Sequence, residues 1–168
     1  DFSGASLEHA KLWRALMDRS DLSRARMNGA VLDYSLLQGT PEKPNRLRST
    51  NLSSAVNDGG ALRWLDMREV IFDPRTDFRN AFLDGSVEMT DAFAAQMSAD
   101  GEEPCQWQRD REITDSAEFY GLWRAWVEKG TVPWLLVAPR EWRDVDPIDA
   151  FPKDCEWANA PLQAHAPN

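Results

Sequence analysis

Apolar side chains recur at every fifth position from the start of the chain: Phe2, Leu7, Leu12, Met17, Leu22, Met27, Leu32 and Leu37. From the second onward, each is preceded two residues earlier by something small: Ala5, Ala10, Ala15, Ser20, Ala25, Ala30 and Ser35. The register returns at Leu47, Leu52, Leu62, Met67 and Phe72, slips by one residue around Asp73 and Pro74, and continues at Phe78 and Leu83. No straight element accommodates this period. A strand alternates every two residues and a helix every ~3.6, so a period of five would scatter the apolar residues around either axis. The chain has to turn once per pentad, with the large and the small residue both pointing inward. If each pentad is one side of a square, four of them close a coil of about 20 residues, and successive coils stack by β-type hydrogen bonds about 4.8 Å apart.

Ala5-Ser6-Leu7, Ser20-Asp21-Leu22, Thr50-Asn51-Leu52 and Thr76-Asp77-Phe78 resemble the A(D/N)LXX consensus of the pentapeptide repeat family. The resemblance covers about residues 1 to 88 and implies a right-handed quadrilateral β-helix. The expected fold class is therefore mainly β: about four and a half coils over residues 1–89, with a loop at 39–45, then a small tryptophan-rich, partly helical region over residues 90–168. The loop is expected because Glu42 falls in a large-residue slot within Gly39-Thr-Pro-Glu-Lys-Pro-Asn45, and an unpaired buried carboxylate costs several kcal/mol. Asn57, before Asp58-Gly59-Gly60, is a second weak side. The chain enters at Asp1 in mid-pentad, and an uncapped coil exposes its ladder edge; we expect further chain upstream, or another chain, to cover it.

Stepping 20 residues along such a solenoid stacks Leu16, Leu36 and Val56 into one outward apolar stripe, flanked by Trp13, Val31, Tyr34 and Ile71. A face meant for water alone would be polar, so the stripe is expected to meet the second half of this chain, a second copy or a partner. A neighbouring quarter carries Arg24, Arg26, Lys43, Arg46, Arg48, Arg63 and Arg68. Of these, Arg26, Arg46, Arg48 and Arg68 are the expected contacts of an anionic partner.

Charge separates the two halves. Residues 1–90 hold 13 acids and 12 bases, net −1, and residues 91–168 hold 15 acids and 7 bases, net −8, which together give the −9 of the whole chain. The best-known members of the resembled family are thought to inhibit DNA gyrase by imitating the charge and shape of duplex DNA, a role suited to a long acidic rod. These near-neutral coils would span only about 20 Å at the β-ladder spacing.

The second half opens with a helix expected over Thr90–Met97, placing Phe93 and Met97 on one face, followed by a polar linker at Asp100–Pro104. A longer helix is expected over about 116–129, with Asp115 and Glu118 forming a capping box. Its Phe119, Leu122, Trp123, Trp126 and Val127 make one wide apolar face that needs something to dock on. Trp134–Val137 is expected as a short strand, and residues 139–168 as an extended acidic tail anchored by Trp142 and Trp157.

Chemistry is sparse. His9 and His165 are the only histidines, and neither has metal-ligand neighbours at a useful spacing. No Cys-x-x-Cys, Gly-x-Ser-x-Gly, phosphate-cradling or dinucleotide motif is present. Cys105 and Cys155 are too few for a disulfide framework, which points to a reducing setting and leaves one bridge between the two open, and Cys105 is expected as a small buried filler and not a nucleophile. No catalytic residue, metal site or cofactor is expected. Without a run of ~18 to 20 apolar residues or an export signal, the expected setting is the cytoplasm, or the cytoplasmic part of a longer protein tethered to a membrane upstream of Asp1. The expected function is non-enzymatic: protein interaction or scaffolding through solenoid surfaces, including self-association, with no nucleic-acid partner. The alternative is a DNA-mimicking inhibitor or protector of a type II topoisomerase.

Overall fold

A computed structural model describes residues 1–98, 101–129 and 133–148. The chain forms a mainly β, parallel solenoid of about four turns with a small helical C-terminal region. In chain order the elements are β1 (Leu16–Asp18), β2 (Leu36–Gln38), β3 (Asn45–Arg46), β4 (Ala61–Arg63), β5 (Leu65–Asp66), β6 (Phe82–Asp84), β7 (Val87–Glu88), α1 (Asp91–Met97), β8 (Trp107–Gln108) and α2 (Ser116–Lys129). Strands β1-β2-β4-β6-β8 stack into one parallel sheet and β3-β5-β7 into a second. Isolated parallel bridges such as Ser6 with Arg26 and Lys11 with Val31 join the other sides.

The pentad dictates the corner as well as the interior. The carbonyl of the large residue accepts the N–H of the small residue opening the next pentad: Ala10 to Leu7 at 3.1 Å, Ala25 to Leu22 at 3.0 Å, Ser35 to Leu32 at 3.0 Å. The residue before that N–H is left-handed, as at His9 (φ 57°), Arg14 (φ 58°) and Arg24 (φ 61°), which is a type II turn. Left-handed backbone costs a non-glycine residue roughly 1–2 kcal/mol, so the corners persist because the stacked ladder fixes them. Between the corners Leu22, Met27, Leu32, Leu37, Leu52 and Leu62 fill the interior, each no more than 1% exposed. Thr50 and Thr76, at small positions, donate their hydroxyls to the carbonyls of Leu22 (2.6 Å) and Leu52 (2.9 Å).

After the first, the coil steps along this sheet all exceed the regular 20, the last being 107 − 83 = 24. Leu16 pairs with Leu36, but Leu36 pairs with Ala61, a step of 61 − 36 = 25, and Ala61 pairs with Phe82, a step of 82 − 61 = 21. The long coil contains the loop at 39–45, where Thr40 and Lys43 close a turn and Glu42 is exposed. The extra single residue lies at the slip near Pro74.

Asn57 does stay in the large-residue slot. It is 1% exposed, and neither its amide oxygen nor its amide nitrogen has a hydrogen-bond partner. A buried unsatisfied polar group costs about 1–3 kcal/mol. Asn57→Leu restores the repeat, and chemical denaturation should show a gain of about 1–2 kcal/mol; a loss would mean that the slot is shaped for the amide.

Helix α1 closes the far end of the interior. Thr90 Oγ1 accepts the Phe93 N–H at 3.2 Å. Phe93 packs edge-on against Phe72 and Phe78, with ring centroids 5.1 and 5.9 Å away. The stack continues past residue 89, because β8 adds to β6 with Leu83 opposite Trp107. Cys105, just before β8, is half-buried, not fully buried as expected of a filler, and is disulfide-bonded; Cys155 lies outside the described residues.

Asp115 caps α2, its Oδ1 accepting the N–H groups of Ala117 (2.7 Å) and Glu118 (3.3 Å). The Glu118 carboxylate pairs with Arg111 at 2.7 Å instead of completing a reciprocal box. Trp134–Leu136 is a 3-10 helix, not a strand, and Arg140–Trp142 is another. A four-residue apolar run does not specify strand over helix, and here Trp134 turns inward to meet Trp123 edge-on at 5.1 Å. Trp157 and the tail from residue 149 lie outside the described residues.

Candidate interaction surfaces

The outward face of the five-stranded sheet is where solenoid and helix meet. Leu36 on β2, Ala61 on β4 and Phe82 on β6 point away from the interior into a second apolar cluster with Phe119, Leu122, Trp123 and Trp126 of α2. All seven are 3% exposed or less. The two indole N–H groups are anchored to the backbone of the solenoid, Trp123 donating to the Gly59 carbonyl at 2.9 Å and Trp126 to that of Asn80 at 2.8 Å. Tyr120 stacks on Trp142 at 4.9 Å and donates its hydroxyl to Gln38 Oε1 at 3.2 Å. Burial pushes the Tyr120 phenol up to about 12. Tyr34 belongs to the same cluster, 2% exposed, its phenol also pushed up to about 12, first by burial and then by the charges of Asp58 and Asp33.

Val56 does not belong to this column. The 25-residue coil displaces it by one side of the square, where it bridges Val31 and Asp77. Ala61 and Phe82 take the places that uniform 20-residue steps assign elsewhere. Leu16 heads the column on the edge strand β1, yet α2 does not reach it: Leu16 is 54% exposed and Trp13 is 46% exposed. Trp13 lies edge-on to Tyr34 at 6.3 Å, with the Arg14 guanidinium 3.4 Å from its ring centre.

Beneath the start of α2 is a buried charge that the sequence reading placed on the outer basic side. Arg63 is 1% exposed. Its guanidinium donates to Ser116 Oγ (3.1 Å) and to the carbonyls of Ile113 (2.6 Å) and Thr114 (3.2 Å). It lies 3.7 Å from the Trp64 ring centre and 4.6 Å from that of Phe119. Asp84, one coil further on, accepts the Ile113 N–H at 2.8 Å as well as the Ser86 N–H and hydroxyl. Burial pushes the Asp84 carboxyl up, against the opposing pull of those donors and of Arg63. Oppositely charged residues following Leu62 and Leu83, which stack on each other, were the available signal. Reading it required the true coil lengths.

The remaining arginines are mostly paired. Arg26 meets Glu8 at 3.7 Å, Arg48 meets Glu69 at 3.4 Å, and Arg68 bridges Asp66 and Glu88, both at 2.8 Å. Hydrogen bonds from Arg68 hold the Asp66 carboxyl below the usual range. Arg46 has no ion pair within 4 Å among the described residues, although it stacks beside Asp66. This side is a mixed-charge surface, not a basic one. Exposed pairs of this kind contribute about 0–1 kcal/mol each.

Among the described residues, no group of three or more His, Cys, Asp or Glu side chains is placed to hold a metal ion. Nor is any helix there long and apolar enough to cross a membrane.

A square interior, one large and one small inward residue per side, and left-handed corners define a pentad-based β-solenoid. The comparison with known families agrees: residues 1–39 match the pentapeptide repeats model, in eight copies. The later coils, through Leu83 and Trp107, continue the same stack outside that match. No curated protein matches the chain.

Proposed function

We propose that this protein is a non-enzymatic interaction module in which the solenoid is a rigid display and the strip of Trp13 and Leu16 is the binding surface. The observation that carries this reading is the contrast within one column: α2 covers Leu36, Ala61 and Phe82, and stops short of Leu16. Two large apolar side chains side by side on a fixed backbone lose little conformational freedom on binding, and tryptophan is enriched at energetic centres of interfaces. The pentapeptide-repeat β-solenoid is consistent with such a scaffold role.

A photo-crosslinking amino acid placed at residue 16, compared with one at the exposed Arg75, tests the reading in cells. A discrete adduct, with this chain itself or with another protein, is expected at residue 16 and absent at residue 75. Equal labelling at both sites, or none at either, rejects the strip as a binding surface. Gyrase inhibition remains the alternative function, and the pairing of acids with Arg26, Arg48 and Arg68 along the coils weighs against it. A supercoiling assay should show no effect at micromolar protein.

A further inference from the structure

The β ladder between the first two coils opens at one place. Along the rest of that junction, alternate N–H groups bond back to the preceding coil: Arg26 to the Ala5 carbonyl, Val31 to Ala10 and Leu36 to Ala15. The equivalent bond from Arg46 to Ser20 is missing, as is the one from Leu22 to the Arg46 carbonyl, which accepts the Ser23 hydroxyl at 3.1 Å instead. The ladder is intact on either side, with Arg19 N–H on the Gln38 carbonyl and Arg24 N–H on that of Arg48. Between those two rungs the offset changes from 38 − 19 = 19 to 48 − 24 = 24, so the gap is where the extra pentad of the 39–45 loop enters.

The gap is not filled by side chains. It forms a cleft of about 500 Å³ whose charged lining is Arg19, Lys43, Arg46 and Arg48 against Asp21 and Glu42, or 4 − 2 = +2. Asp21 is turned to its own loop, accepting the Ser23 N–H at 2.8 Å. Arg19 and Arg48 pair with Asp18 and Glu69 respectively, neither of which lines the cleft. Lys43 and Arg46 make no ion pair within 4 Å among the described residues.

We infer that this cleft is an oxyanion site that takes a phosphate group, free or as a monoester. Lys43 and Arg46, the two lining cations without an ion pair within 4 Å among the described residues, are the groups that would attract a compact dianion, and a phosphate carries about −1.5 to −2 at neutral pH. Arginine matches phosphate geometry through its planar fork, and lysine contributes a point charge. A backbone N–H without its ladder acceptor, at Arg46, supplies a directional donor of the kind that phosphate sites use. The inference does not depend on the Trp13–Leu16 strip, which lies on another side of the square.

The test is titration calorimetry of the full chain with inorganic phosphate and with phenyl phosphate, chloride being adjusted to hold ionic strength constant. Saturable binding of at least one ligand is expected. The exposed pair Lys43→Gln with Arg46→Gln should weaken it by about tenfold or more, since charge-assisted bonds carry the affinity. Arg75→Gln with Arg140→Gln, exposed cations outside the cleft, should stay within about twofold. Tighter binding of the ester assigns the cleft to a phosphorylated molecule, and tighter binding of the inorganic ion assigns it to free phosphate. Absence of saturable heat with either ligand, or an equal loss in both double variants, overturns the site.

Discussion

Arg63→Ala should lower the unfolding free energy by about 3–5 kcal/mol, the range for removing one member of a buried charged network. The substitution deletes three hydrogen bonds at once and leaves the Ile113 and Thr114 carbonyls without that donor. It also removes the planar group between the Trp64 and Phe119 rings, and the positive charge nearest Asp84. The segment lost is the one that turns the chain from β8 into α2, so the damage is expected first at the helix. The part of the tryptophan fluorescence that comes from Trp123, Trp126 and Trp134 should change at lower urea than the β signal in circular dichroism, because the helix cluster is separate from the solenoid interior. Arg63→Lys keeps the charge and loses the fork, and an intermediate loss is expected. A loss under about 1 kcal/mol for Arg63→Ala would show that the clamp is not what holds α2.

Leu36→Asp and Leu16→Asp make the same chemical change in the same column, one coil apart. The first puts a carboxylate under α2 at a site 1% exposed, among Tyr34, Phe119 and Trp123. Burying an ionised group without a partner costs several kcal/mol, so the helix should detach or the protein should unfold. The second puts it at a site 54% exposed on the edge strand, where surface substitutions stay within about 0.5 kcal/mol. Urea midpoints measured side by side provide the comparison. Equal effects would mean that α2 does not cover β2 in solution. A stable Leu16→Asp protein also serves the binding question, because it alters the strip while leaving the fold unchanged.

The solenoid was legible because its cause is local and repeated. A large residue every fifth position, with a small one two before it, leaves the chain no regular straight conformation, and each pentad carries its own corner. The loop around Glu42 and the slip at Pro74 were legible for the same reason, as interruptions of a period. The helix face of Phe119, Leu122, Trp123 and Trp126 followed from its spacing. Its coverage was a different kind of question: the stripe had several possible occupants, and only the packed structure places α2 on Leu36, Ala61 and Phe82.

Expectation and structure part where residues stack across coils longer than 20. Counting by 20 put Val56 beneath Leu36, whereas the inserted pentad puts Ala61 there. A uniform step of 20 also misses the stacking of Arg63 on Asp84, 21 residues further on, and the net charge of the basic quarter does not show that Arg26, Arg48 and Arg68 are paired with Glu8, Glu69 and Glu88. The ladder gap between Arg46 and Ser20 was beyond any sequence pattern, since it depends on how the loop distorts two neighbouring coils.

By itself, then, the sequence determined the repeat unit, the inward and outward sides of each pentad and the positions of the breaks, because these depend on residues within five of one another. The tertiary structure decided coil lengths, the pairing of charges, the burial of Arg63 and the limit of helix coverage that leaves Trp13 and Leu16 in the open. Those depend on contacts between residues 18 to 82 apart, such as Arg26 with Glu8 and Tyr120 with Gln38, and the inserted pentad shifts the register between the coils it separates.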